Sequence, residues 1–289
     1  LLSVSVLHYS ACSPLQDFLQ KAMILAMHVQ YAFIDSGIGG LPYLEHLRER
    51  EKNAQAVYVA DTANFPYGTK TTAELQEIAI RTVQKIIERF QPELIIVACN
   101  TLSVAALDVL RKQFALPYVG TVPAVKVAAE KTKVDKIVLI ASEKSVGDAY
   151  TANLIKKFSS PEKFILKAEQ DLIHKIEHGL LFASEVEKDQ AVKPVIDFCV
   201  NEGADCLVLA CTHFLIIEDA FKRVSAGRVN IIESLNGVTE QILRVVPVAN
   251  AECKENESFL FVTKAETKAE NERYQKVAER YRLQFGGVL

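Results

Sequence analysis

Short, uninterrupted apolar runs alternate along this chain with longer stretches in which apolar positions recur every three or four residues. The runs at 29–34 (broken only by Gln30), 56–60 and 94–98 have strand length and no polar face, the pattern of strands buried on both sides. Between them, Leu75, Ile78, Ala79, Val83, Ile86 and Ile87 keep one apolar face through residues 72–90, which predicts an amphipathic helix. Further helices are predicted over about 41–51 and 102–114, with a short strand at 117–119. The rhythm then repeats, with strands at 136–140 and 163–168, helices at 146–158, 171–178 and 187–202, an apolar run ending before Cys211, and a strand at 229–232. Strands alternating with helices imply an α/β fold with mainly parallel sheets flanked by helices. Residues 250–258 are polar and read as a long surface loop.

Two of the strand ends are nearly the same string. Glu93-Leu94-Ile95-Ile96-Val97-Ala98-Cys99-Asn100-Thr101 is echoed by Asp205-Cys206-Leu207-Val208-Leu209-Ala210-Cys211-Thr212-His213. The junctions Ile34-Asp35-Ser36 and Ile232-Glu233-Ser234 also resemble one another, and together the pairs suggest two similar α/β lobes. Each echo puts a thiol at the carboxyl end of a buried strand, where open α/β sheets build their ligand sites. A buried cysteine is ordinarily a small core hydrophobe. Here each is followed by polar residues and an expected helix start, whose free N–H groups lower a thiol's pKa and attract anions. Two such thiols on one pocket suggest an acid and a base on opposite sides of one substrate. His213, two residues past Cys211, falls on the same side if the backbone stays extended, and would orient the thiol or exchange a proton with it.

Composition narrows the class. The chain has 289 residues, 49% hydrophobic and 24% charged, enough for two domains of a globular enzyme. Its net charge of -3, without any basic run, gives no case for nucleic acid. Six cysteines in this length argue against a disulfide framework and for a reducing compartment. Cys12, Cys199, Cys206 and Cys253 lack this setting of a strand end before a helix start and read as structural; Cys206 is expected on the opposite strand face from Cys211. The spacing of Cys199, Cys206, Cys211 and His213 does not suit zinc, so no metal is expected. No run approaches the ~20 apolar residues of a membrane span. The first thirty residues lack the basic start of a secretory signal, and Met23 and Met27 precede the first strand. The expectation is an accessory extension, with the functional protein starting near Met27.

The remaining candidates lie at other strand ends. Asp35-Ser36-Gly37-Ile38-Gly39-Gly40 has neither G-x-G-x-x-G spacing nor a P-loop lysine. Its glycines instead admit close backbone near a ligand, and Asp35 and Ser36 either cap the next helix or receive an ammonium group. Asn100, Thr101 and Thr212 offer neutral donors for a carboxylate, in addition to capping. Pro66-Tyr67-Gly68 is a rigid loop suited to a pocket wall. Glu177, near a helix end, taken alone reads as solvated.

These motifs together resemble those of the glutamate racemases, within the aspartate/glutamate racemase superfamily. The resemblance rests on residues 33–40, on Asp61-Thr62-Ala63-Asn64-Phe65-Pro66-Tyr67-Gly68, on Val97-Ala98-Cys99-Asn100-Thr101 and on Ala210-Cys211-Thr212-His213-Phe214, and runs from about Val29 to near the C-terminus. It implies two similar α/β domains with the active site between them: residues 29–122 with 231–289 as the first, 123–230 as the second, and 1–28 as the extension. It implies Cys99 and Cys211 as the acid/base pair, Asp35 assisting Cys99, and His213 and Glu177 assisting Cys211. Asp35, Ser36, Tyr67, Gly68, Asn100, Thr101, Thr212 and His213 match substrate-contacting positions. A cofactor-independent, cytoplasmic homodimer is implied, interconverting L- and D-glutamate and supplying D-glutamate for peptidoglycan synthesis. Aspartate racemisation, or a catalytically impaired amino-acid-binding regulatory protein, are the alternatives. The chain departs from the family at Ala210 (Gly in most members), Leu215 (Pro) and Leu102 (Ala). It also has Ser142-Glu143-Lys144-Ser145 in place of a threonine-rich loop, and it diverges before Glu177.

Overall fold

Among the described residues, ten strands fall into two sheets, and every strand pair in both is parallel. This computed structural model describes residues 28–248 and 258–289. The expected extension, Cys12, Cys253 and nearly all of the expected 250–258 loop therefore lie outside the described residues.

The first sheet contains β1 (Tyr31–Asp35), β2 (Ala56–Ala60), β3 (Leu94–Val97), β4 (Tyr118–Gly120), β9 (Phe259–Val262) and β10 (Gln284–Val288), in the order β10-β9-β2-β1-β3-β4. The second contains β5 (Ile137–Ala141), β6 (Phe164–Ala168), β7 (Cys206–Leu209) and β8 (Asn230–Ile232), ordered β6-β5-β7-β8. The core of the first sheet, β2-β1-β3-β4, thus has the same strand order as the whole of the second. In each, the chain leaves the first strand to one side and returns on the other, a reversal that opens a crevice at the carboxyl ends of the central strands.

Burial on both faces explains the unbroken apolar runs. Along β1, Tyr31 and Phe33 enter one hydrophobic cluster while Ala32 and Ile34 enter the other. The neighbours alternate in register: Tyr58 and Ile96 lie on the first face, Val59 and Ile95 on the second. Each such large side chain, removed from water, contributes about 1.5–3 kcal/mol.

The helices are α1 (Leu41–Arg50), α2 (Thr72–Phe90), α3 (Asn100–Gln113), α4 (Val125–Lys131), α5 (Glu143–Gly147), α6 (Ala149–Phe158), α7 (Gln170–His178), α8 (Glu185–Asn201), α9 (Glu218–Ser225), α10 (Leu235–Val245) and α11 (Lys268–Arg280). The sequence explains where α2 begins and ends. Thr71 Oγ1 accepts from the Glu74 N–H and Glu74 Oε2 from the Thr71 N–H, while Gln91 turns left-handed (φ 43°) ahead of Pro92. Leu75, Ile78, Ala79, Val83 and Ile86 are buried, as their spacing predicts.

One predicted helix is two. The stretch expected to be continuous over 146–158 breaks at Asp148, whose carboxylate accepts the Tyr150 N–H at 2.8 Å and starts α6 afresh. Ser142 caps the short α5 before it. Among the described residues, no helix is long and apolar enough to cross a membrane.

Candidate active site

Cys99 and Cys211 occupy equivalent places, each two residues beyond the end of its strand and each with extended backbone. Cys99 (φ -145°, ψ 118°) precedes α3, and Cys211 (φ -135°, ψ 138°) precedes a 3-10 turn at Thr212–Ile217. Both line one cavity. One wall comes from the strand ends of the first sheet, with Ser36, Tyr67, Gly68, Cys99, Asn100 and Thr101; the other comes from the second, with Ser142, Gln170, Cys211, Thr212 and His213. Nine of the expected site residues therefore share this space, and Asp35 and Glu177 stand directly behind it.

Hydrogen bonds tie the two walls together. Asn100 Nδ2 donates to the Ala210 carbonyl at 2.8 Å, leaving Asn100 Oδ1 buried without a partner. Thr212 Oγ1 donates to Asp35 Oδ2 at 3.1 Å, and the Ile38 N–H donates to Glu177 Oε2 at 2.9 Å. Thr101 Oγ1 lies 3.2 Å from the hydroxyls of both Ser142 and Ser145.

Asp35 does not cap α1, whose N-cap is Gly40. Its carboxylate is fully buried, accepts the Ser36 N–H at 2.6 Å and takes a hydrogen bond from the Cys99 thiol. Burial pushes the Asp35 carboxyl up, against the opposing effects of His213, Cys99, Ser36 and Thr212. Cys99 differs from the expectation of a lowered thiol pKa. The Leu102 N–H at the start of α3 does stabilise the thiolate, but burial first, and the Asp35 charge second, push Cys99 well above the usual thiol range.

Around Cys211 the polar groups form a chain. His213 Nδ1 lies 3.8 Å from Cys211 Sγ, and its Nε2 lies 2.9 Å from Glu177 Oε2. Arg273 Nη2 donates to Glu177 Oε1 at 3.3 Å. Burial disfavours a charged imidazole, yet Cys211 and Glu177 overcome it and raise His213 well above its ordinary value. Glu177 is lowered although burial opposes this, because His213, Arg273 and the Ile38 N–H favour its ionised form. The side-chain exposure of Glu177 is only 2%, so its reading as a solvated helix end is overturned. His213 reaches its thiol by a different backbone from that expected. The segment is a 3-10 turn rather than extended, and the turn swings the imidazole back onto Cys211.

The β1–α1 loop shows why its glycines are needed. A Cβ on Gly37 would lie 2.2 Å from Glu177 Oε2, and one on Gly39 would lie 2.4 Å from His213 Nδ1. The expectation of close backbone near a ligand becomes close backbone against the polar chain that serves Cys211. Tyr67 lines the cavity, while its hydroxyl donates to Asp61 Oδ2 at 2.6 Å; Asn64 and Thr263 also donate to Asp61.

Sequence reasoning missed Arg273 and Gln170. Arg273 sits in a strongly charged helix 96 positions after Glu177, with nothing local to mark it. Gln170 had a signal: it follows β6 by the same two residues that separate each cysteine from its strand.

The profile of the Asp/Glu/Hydantoin racemase family matches residues 43–241. A protein named glutamate racemase from Treponema pallidum (strain Nichols) is 37% identical over 266 residues, covering 90% of this chain and 96% of that one. One from Actinobacillus pleuropneumoniae serotype 5b is 32% identical over 229 residues, covering 78% and 86%. The crystal structure of Escherichia coli glutamate racemase with L-glutamate and the activator UDP-MurNAc-Ala superposes with a TM-score of 0.78 at 26% identity, over 90% of this chain and 98% of that one. The Thermus thermophilus glutamate racemase structure gives 0.69 at 26% identity, over 90% and 96%.

Proposed function

The chain belongs to the Asp/Glu/Hydantoin racemase family, and from that membership we propose that it interconverts L- and D-glutamate by a two-thiol acid/base mechanism without a cofactor. The observation that carries this reading is the pair of cysteines at matched strand ends on opposite walls of one cavity, each with its own polar partners.

In the forward step one cysteine, as thiolate, takes the α-proton, and the electron pair left on the α-carbon delocalises into the α-carboxylate. The other cysteine, as thiol, delivers its proton to the opposite face. The centre is inverted and the two sulfurs have exchanged protonation states, so each must regain its starting state before the next turnover. Asp35 is the neighbour through which Cys99 resets, and His213, held by Glu177, is the neighbour for Cys211. Burial first, and the neighbouring Asp35 charge second, keep Cys99 as the thiol at rest. A substrate ammonium near Asp35 and the unpaired Asn100 Oδ1 would offset that negative charge and favour the Cys99 thiolate once substrate is bound. Neutral donors at Thr101 and Thr212 stabilise the charge developing on the carboxylate. In this reading Ser36, Tyr67 and Gly68 complete the binding surface.

The same reading makes each sheet the centre of one domain, divided near residues 122 and 231. It also makes the working form a cytoplasmic homodimer that supplies D-glutamate for peptidoglycan. The test is circular dichroism of L-glutamate with purified protein in deuterated water. The expected result is decay of the signal to zero, with deuterium entering the α-carbon. Cys99→Ala and Cys211→Ala should each lower turnover by about 10²–10⁴-fold or more. Full turnover with either sulfur absent rules out the two-thiol scheme, and faster turnover of aspartate than of glutamate reassigns the substrate.

A further inference from the structure

We propose that Gln170 is a specificity-determining residue whose side-chain amide donates a hydrogen bond to the distal carboxylate of the substrate; this rests on reading the cavity as a glutamate site. Three strand ends open into the cavity in the same way. β3 ends at Val97 and presents Cys99, β7 ends at Leu209 and presents Cys211, and β6 ends at Ala168 and presents Gln170, each two residues on. The first two carry the groups assigned to proton transfer. The third carries an amide that no hydrogen bond or structural role yet explains.

Both polar atoms of that amide are sealed from solvent, and neither Nε2 nor Oε1 has a hydrogen-bond partner among the described residues. A buried unpaired amide is costly and calls for a partner that the described residues do not provide. The surroundings specify the partner. Thr101, Ser142 and Ser145 form a cluster of hydroxyls at 3.0–3.2 Å from one another, and the bare backbone of Gly68 closes over the same corner. A Cβ on Gly68 would lie 2.9 Å from Ser142 Cβ and 3.1 Å from Gln170 Oε1. Among the described residues no Lys or Arg lines the cavity, and the one imidazole there, His213, is engaged with Cys211 and Glu177. A second carboxylate, which can only accept hydrogen bonds when ionised, must therefore be held by neutral donors, and the Gln170 Nε2 group is an unused one.

Distance favours the far end of the molecule. In the order β6-β5-β7, one strand separates the strand bearing Gln170 from the strand bearing Cys211. Two inter-strand spacings amount to roughly 10 Å. An α-carbon held between the cysteines leaves that span for a side chain with its own carboxylate and a hydrogen bond. A substrate one methylene shorter reaches less far, so the position of Gln170 favours glutamate over aspartate.

The experiment measures kcat and KM for L-glutamate, and Ki for L-glutamine as competitor, in wild type, Gln170→Leu and Gln170→Glu. Loss of the donor in Gln170→Leu should raise KM about tenfold, and the added negative charge in Gln170→Glu about 100-fold. In both, kcat should stay within about threefold of wild type, because the group binds the two enantiomers and the transition state alike. The Ki of L-glutamine, whose distal group is neutral, should rise far less in Gln170→Glu than the KM of L-glutamate. KM unchanged in both variants, or a fall in kcat at constant KM, overturns the assignment while leaving glutamate racemisation intact. Gln170→Glu keeps the shape of the side chain, so the question stays open to test if the leucine variant does not fold. Wild-type protein that leaves L-glutamate untouched overturns both this assignment and the reading beneath it.

Discussion

Glu177 takes hydrogen bonds from the Ile38 N–H, His213 and Arg273, which belong to three separate parts of the chain. Glu177→Gln keeps its shape and removes its charge, leaving His213 and Arg273 without a counterion. Breaking a buried pair from one side costs about 3–5 kcal/mol, and this isosteric change belongs at the lower end. The pH dependence follows from the two directions of shift. Glu177 is lowered from 4.5, so its contribution is present above that value and lost as pH falls through the depressed one. His213 is raised from 6.5, so its contribution is complete below that value and lost as pH rises through the elevated one. The stability gap between wild type and Glu177→Gln should be widest between 4.5 and 6.5 and narrow on both sides, as read by urea unfolding across pH. A gap independent of pH removes the ion pair as its source. At this scale the two cysteines were legible because each ends an apolar run with an abrupt change of polarity. The setting of Glu177 was not, because its partners lie 36, 96 and 139 positions away and only folding brings them together.

The connections between elements carry much of the site, and the β1–α1 loop shows how little slack they have. Gly39→Ala would put a methyl group 2.4 Å from His213 Nδ1 and 2.6 Å from Thr212 Oγ1, so the 3-10 turn behind Cys211 must shift. Misplacing a reacting group by about 1 Å costs on the order of 10² in rate. Gly39→Ala is accordingly expected to lose about 100-fold in kcat while keeping its helical and strand content by far-ultraviolet circular dichroism. A kcat near wild type would mean that the turn yields without moving the imidazole. The elements up to β8 were largely readable, because strands buried on both faces leave continuous apolar runs, but α4, α9, α10, β9 and α11 were not anticipated. Nor was β10: Gly286 and Gly287 interrupt it, Gly287 has φ +84°, and its pairing with β9 shifts register there. An edge strand of this kind packs little and leaves little apolar pattern. The break between α5 and α6 was readable in principle, since Asp148 is a strong N-cap residue, but the apolar spacing runs straight through it.

On the scale of the whole molecule, the cavity belongs to neither sheet alone. The repeated order, β2-β1-β3-β4 and β6-β5-β7-β8, gives each sheet its own crevice, and the two crevices meet across the Asn100–Ala210, Asp35–Thr212 and Ile38–Glu177 hydrogen bonds. The short echo around the cysteines hinted at this symmetry and at two thiols on one pocket, and the family resemblance implied a site between the lobes; the hydrogen bonds that join the walls were not legible, because they depend on how the two sheets are joined. A ligand held by both walls stabilises both sheets at once. At a concentration about 100 times its Kd, a ligand that binds only the folded state adds about 2.7 kcal/mol, which for a chain of this size corresponds to several degrees of Tm. L-glutamate should therefore raise the unfolding midpoint reported by probes in either sheet by the same amount. One probe pair is the Tyr58 region of the first sheet and the Cys206 region of the second, followed by hydrogen exchange. Protection gained in one sheet alone would mean that the ligand rests on a single wall. A proton could then reach only one face of the stereocentre, and inversion by opposed sulfurs would have no structural basis.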